Sequence, residues 1–156
     1  GLIVVDGVTP VKTFMIDDRV EKITVDLKDI EEYVAPRDDI EGSILGYIGC
    51  PHLDPFEFEA LYKMIVERGV LKNGNKLMIS IPAIYSRIYG FEIEHLRRLG
   101  VEVLIGTCPI VSILSERYDY VLTNSGKACF YLKRQHGFQV YIASLKYIID
   151  KVYGDK

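Results

Sequence analysis

The sequence has no tryptophan, and it holds only three cysteines and three histidines. Glutamine occurs at Gln135 and Gln139 alone. Three widely spaced cysteines do not form a disulfide framework, and they suit a reducing cytoplasm. No apolar run approaches the roughly 20 residues that a membrane-spanning helix needs. Leu2-Ile3-Val4-Val5 is short and has no basic flank, so it does not read as a secretory signal. The net charge is −3 and the basic residues are dispersed. A nucleic-acid surface would need a clustered basic excess. With glutamine scarce and Ile, Tyr, Lys and Glu plentiful, the composition leans toward a thermophile. The chain starts at Gly1 rather than Met, and we expect either a trimmed tag or an excised piece of a longer protein.

The 156 residues are 49% apolar and 26% charged, as for one soluble domain with a real core. Residues 1–42 are the least regular part. Residues 2–5, 11–16 and 22–26 have β-type composition, with turns expected at Asp6-Gly7 and Asp17-Asp18. Residues 29–34 suggest a short helix that Pro36 ends, and 38–42 form a charged linker. We expect 1–42 to lie as an edge element against the rest.

From residue 43 short β runs alternate with helical patterns. Strands are expected at 43–49, 76–81, 101–105, 118–122 and 138–142. Asp54-Pro55-Phe56-Glu57 is a helix start with an N-cap, a proline at the first position and a glutamate at the third. Phe58, Leu61, Tyr62 and Ile65 then mark one helix face, and Gly69 its end. Pro82 opens a helical stretch that Gly90 interrupts, and Phe91, Ile93, Leu96 and Leu99 carry its face onward. Residues 108–115 read as a short helix or irregular loop, and 125–135 as a helix. Ser144 caps a last helix bearing Leu145, Ile148, Ile149 and Val152. This alternation predicts an α/β fold: a doubly wound domain over 43–156 with a mostly parallel sheet of about five strands and right-handed crossovers.

Three loops follow strand ends and carry reactive groups: Gly49-Cys50-Pro51-His52, Gly106-Thr107-Cys108-Pro109 and Thr123-Asn124-Ser125-Gly126-Lys127. In an open parallel sheet such loops gather at the carboxyl edge, where ligands bind. Cys50 and Cys108 each sit between a strand and a proline. A nearby helix start is expected to acidify Cys50, which suits a metal or cluster ligand; the plain alternative is a small buried hydrophobe. His52 either supports that site, acts on substrate or is a hydrogen-bonded structural residue. Cys129 lies inside a helical run and reads as core. Asn124, Ser125, Gly126 and Lys127 join capping groups, free backbone N–H groups and a cation, which favours an anion; simple capping is the alternative. His95 and His136 read as surface residues.

These motifs, in this order, resemble the C-terminal part of aconitase X. The resemblance rests on Gly49-Cys50-Pro51-His52-Leu53, Thr107-Cys108, Thr123-Asn124-Ser125-Gly126-Lys127-Ala128 with Tyr131, and Ala143-Ser144-Leu145. Gly7-Val8-Thr9-Pro10 also fits a short family motif. The resemblance implies an iron–sulfur hydro-lyase related to aconitase. Family members include an archaeal phosphomevalonate dehydratase of large and small subunits and a bacterial cis-3-hydroxyproline dehydratase. It implies that Cys50 and Cys108 are two of three cluster ligands, the third lying in an N-terminal part of the large subunit that this chain lacks. Asn124, Ser125, Gly126 and Lys127 would bind a small carboxylate or phosphate-bearing substrate, and His52 is the catalytic candidate within the chain. The remaining partner would be a small swivel-domain subunit that brings a serine base, so the isolated chain is expected to be inactive. The sequence departs from the family pattern at Asp54, Gly106, Cys129 and the Ile81-Pro82-Ala83 loop, which affects the substrate more than the fold. Two other readings stand beside this one. One is a stand-alone α/β anion-binding module without cluster chemistry. The other is a thiol hydrolase using Cys50 and His52, for which no orienting carboxylate is evident.

Overall fold

The computed structural model describes residues 3–10, 15, 17, 19–31, 33–34, 42–111 and 118–154. After a one-turn helix α1 (Leu27–Glu31), strands and helices alternate: β1 (Ile44–Ile48), α2 (Pro55–Arg68), β2 (Lys76–Ile81), α3 (Tyr85–Ile88), α4 (Gly90–Arg98), β3 (Val101–Ile105), β4 (Tyr120–Thr123), α5 (Gly126–His136), β5 (Gln139–Ile142) and α6 (Leu145–Tyr153). All pairings are parallel, and the strand order is β3-β2-β1-β4-β5.

This order follows from burial. β1 is buried along its whole length and sits at the centre. Alternate residues of each strand feed two cores. On one face Ile44, Ile48, Leu77, Ile79, Val103 and Leu122 pack against Phe58, Leu61, Leu96, Ile148 and Ile149 from α2, α4 and α6. On the other, Leu45, Tyr47, Met78, Val121 and Val140 pack against Ala128, Cys129 and Leu132 from α5. A Cβ at Gly46 would lie 2.7 Å from the Val152 side chain, so glycine here lets α6 lie directly on β1.

The capping signals act as written. The Asp54 carboxylate accepts from the Glu57 N–H, and the Glu57 carboxylate accepts from the Asp54 N–H. α3 and α4 are split just before Gly90. The amino-terminal part differs from expectation. Residues 22–26 form no strand; Ile23 and Val25 stay 79% and 66% exposed, and no strand among the described residues pairs with them. Residues 3–5 enter a turn instead, in which Thr9 N–H donates to Val5 O. The expected short helix begins earlier, at Leu27. The 11–16 run and the 38–42 linker fall largely outside the described residues, as does the second half of 108–115. One bridge, Val34 to Ile142, sets residues 33–34 beside β5.

Candidate functional site at the carboxyl edge of the sheet

The order reverses at β1: the chain first builds β2 and β3 on one side, then β4 and β5 on the other. The crevice at such a reversal lies between the loops that leave β1 and β4. Those are the loops of Cys50 and of Asn124 to Lys127.

The β1 loop turns sharply over the end of β2. Gly49 has φ +106, and a Cβ there would fall 2.3 Å from Ser80 O. Only glycine permits that approach. Leu53 N–H then donates to the same Ser80 carbonyl at 3.3 Å. Beneath the turn, the buried Tyr47 hydroxyl lies 3.2 Å from Gly49 O and 3.1 Å from Ser80 Oγ. Burial pushes the Tyr47 phenol far above its ordinary range, so it stays protonated. The Cys50–Pro51 peptide is cis.

Cys50 is 8% exposed. Burial pushes its thiol up, against the Ser125 hydroxyl and the Lys127 ammonium, which pull it down. The acidified thiol expected from sequence is therefore not found. Desolvation outweighs the positive groups nearby, because a thiolate loses hydration that they only partly replace.

The β4 loop caps α5. Ser125 Oγ accepts from Ala128 N–H at 3.1 Å and donates to Cys50 O at 2.5 Å. Its single proton thus holds the Cys50 loop. The Ser125 N–H donates to Thr123 Oγ1. Gly126 and Lys127 occupy the first turn of α5, where helix geometry leaves N–H groups without intrahelical partners. Asn124 and Lys127 are exposed.

The β3 loop completes the group. Gly106 N–H donates to Ile81 O at 2.8 Å. His52 Nε2 lies 3.3 Å from Thr107 O, joining the β1 and β3 loops just before Cys108. All three cysteines are reduced thiols.

Gly49, Cys50, Pro51, His52, Cys108 and Lys127 line one cleft of about 220 Å³. An adjoining hollow of about 160 Å³ shares Gly49, Cys50 and Pro51 and adds Leu53, Glu57, Asn124 and Ser125. The structure thus brings Cys50, His52, Cys108 and Lys127 together and sets Asn124 and Ser125 beside them. Two thiols facing one cleft are the soft donors that iron–sulfur groups take. Among the described residues no group of three His, Cys, Asp or Glu is arranged to hold a metal ion. Two thiols fit such a group and do not complete its ligand set.

Cys129 is core, 1% exposed, with its thiol near Val140 O. His95 and His136 are half-buried rather than surface residues. His95 Nδ1 meets the Tyr62 hydroxyl at 2.8 Å, and the His136 ring lies over Phe138. Sequence reasoning missed Tyr47 and the Thr107 carbonyl. A lone tyrosine in the apolar run of β1 was the available signal; a backbone carbonyl gives none.

The family model described as aconitase X third domain matches residues 44–154. The phosphomevalonate dehydratase large subunit of Thermococcus kodakarensis is 31% identical over 93% of this chain and 38% of that protein. Its namesake from Methanosarcina mazei is 28% identical over 97% of the chain and 37% of that protein. The chain therefore spans little more than a third of these relatives. The crystal structure of Thermococcus kodakaraensis aconitase X, in its holo-form, superposes with a TM-score of 0.63 at 27% identity, covering 87% of this chain and 36% of that one.

Proposed function

Because the chain belongs to the aconitase X family and carries its third domain, we propose that it supplies part of the active site of an iron–sulfur hydro-lyase that removes water from a β-hydroxy acid. Phosphomevalonate is the substrate we favour, since the similar archaeal proteins bear the name phosphomevalonate dehydratase large subunit. The observation that carries the reading is the single cleft on which Cys50, Cys108 and Lys127 converge.

In this reading Cys50 and Cys108 hold the cluster, together with a third cysteine from the remainder of a large subunit. When bound, such a cluster supplies a Lewis-acidic iron for the departing hydroxyl. Lys127, the first N–H groups of α5 and the Asn124 amide bind and orient the anionic end of the substrate. Pro51 and the His52 ring wall the cleft and limit water. The Ser125 hydroxyl, with its proton on Cys50 O, anchors the loop beside the substrate. The base that takes the carbon-bound proton comes from a small swivel-domain subunit, and the assembly works in a reducing cytoplasm that keeps the thiols free to bind iron.

The test is anaerobic co-expression with the missing part of a large subunit and with a small subunit, reading iron, sulfide and the visible absorption band. Loss of the band on either Cys50→Ser or Cys108→Ser supports the reading. A band indifferent to both substitutions, or none under any reconstitution, favours an anion-binding module instead.

A further inference from the structure

Resting on the reading of this cleft as a thiolate site, we propose that His52 is a positioning residue: its ring N–H holds the Thr107 carbonyl and thereby fixes the Cys108 loop beside the Cys50 loop. A carbonyl oxygen can only accept, so the 3.3 Å contact requires the proton on Nε2. That nitrogen is then engaged and does not serve as a proton acceptor toward substrate.

Placement explains why such a tie is needed. The two cysteine loops leave β1 and β3, which are not neighbours; β2 lies between them. Parallel pairing sets the strand ends but not the loops above them. Gly106 N–H on Ile81 O anchors the start of the β3 loop, and Val111 N–H on Cys108 O closes a turn within it. Neither bond reaches across to Cys50. The His52 contact does, one peptide before Cys108. On the other side Ser125 performs the matching task, donating to the carbonyl of Cys50 itself. Among the described residues, two side-chain ties, an imidazole and a hydroxyl, thus join the loops of the cleft. One grips the backbone at Cys50 and the other the peptide just before Cys108.

The experiment reads thiol spacing without iron or activity. Phenylarsine oxide condenses with two adjacent thiols, forming two As–S bonds and releasing water. Applied to the full 156-residue chain and followed by intact mass, it is expected to give one adduct that disappears in Cys50→Ser and in Cys108→Ser. Affinity is then ranked by competition with a small dithiol. His52→Phe keeps the ring but not the N–H, and should weaken capture about tenfold, the scale of one hydrogen bond. His52→Gln places an amide N–H near the position of Nε2 and should restore most of it.

Equal capture by wild type and His52→Phe overturns the inference and leaves the thiolate site standing. So does a folded His52→Gln as weak as His52→Phe. A wild-type chain that forms no two-thiol adduct overturns both. Nitrogen-15 NMR of the wild-type imidazoles keeps the test independent of variant folding: an Nε2–H tautomer at His52 supports the tie, and an Nδ1–H tautomer overturns it.

Discussion

At Gly49 a methyl group decides whether the cleft exists. A Cβ would meet Ser80 O at 2.3 Å, and φ is +106. Gly49→Ala should therefore cost about 3 kcal/mol in urea unfolding, combining a strained backbone with an overpacked turn. Ser125 is the second sensitive position. Ser125→Ala leaves the Cys50 carbonyl and the Ala128 N–H without their partner. We expect a loss of about 2 kcal/mol, with Ser125→Thr recovering part of it. A change of under a few tenths in either alanine variant would mean that these contacts are not formed in solution. At this scale the sequence was informative about identity and silent about contact. The loops of Cys50, Cys108 and Lys127 could be singled out by their place after strands, and the fold gathers them at one cleft. The tie from His52 to Thr107 did not, because it joins loops whose approach only the folded sheet defines.

Among the elements, α2 and α6 are joined on their outer ends by Arg68 and Asp150, 2.5 Å apart, with Lys146 on the second carboxylate oxygen. The Lys146 hydrogen bond, then that of Arg68, hold the Asp150 pKa below its ordinary value of 3.8. A depressed carboxylate stabilises the fold fully above that value and ceases to do so as pH falls through the folded pKa. Asp150→Asn should thus flatten the acid limb of stability against pH, read by urea midpoints between about pH 2 and 6. The loss near neutrality should be about 1 kcal/mol at most, since both side chains keep 21–27% of their surface in water. An unchanged acid limb would sink this account. Helix bounds were legible here because the caps are local: Asp54, Pro55 and Glu57 start α2 whatever lies around them. Residues 22–26 show the converse. Their alternation is that of a strand, yet a strand exists only with a neighbour, and among the described residues 22–26 pair with none.

For the whole molecule the sheet serves two cores at once. Ile65 on one face and Leu132 on the other are both 0% exposed. Truncating either to alanine should cost about 3 kcal/mol. Because β1 belongs to both faces, each variant should move one and the same unfolding transition, followed by tyrosine fluorescence and circular dichroism together. Two separated transitions would show the cores to be independent. The parallel five-stranded architecture was legible from alternation alone. The strand order was not, since periodicity names the strands without ranking their neighbours; the reversal at β1 is a property of how the faces are covered.

The central position of β1 also sets a timetable. It is the first of the five strands to be synthesised, yet its two neighbours are the second and the fourth. The hydroxyl that grips Cys50 arrives 75 residues after it. On the ribosome, Cys50 must wait through most of the domain's translation before its loop can be set, and Cys108 emerges in the interval. Under the proposed cluster reading, metal delivery to these thiols becomes work for a finished fold rather than for a nascent chain.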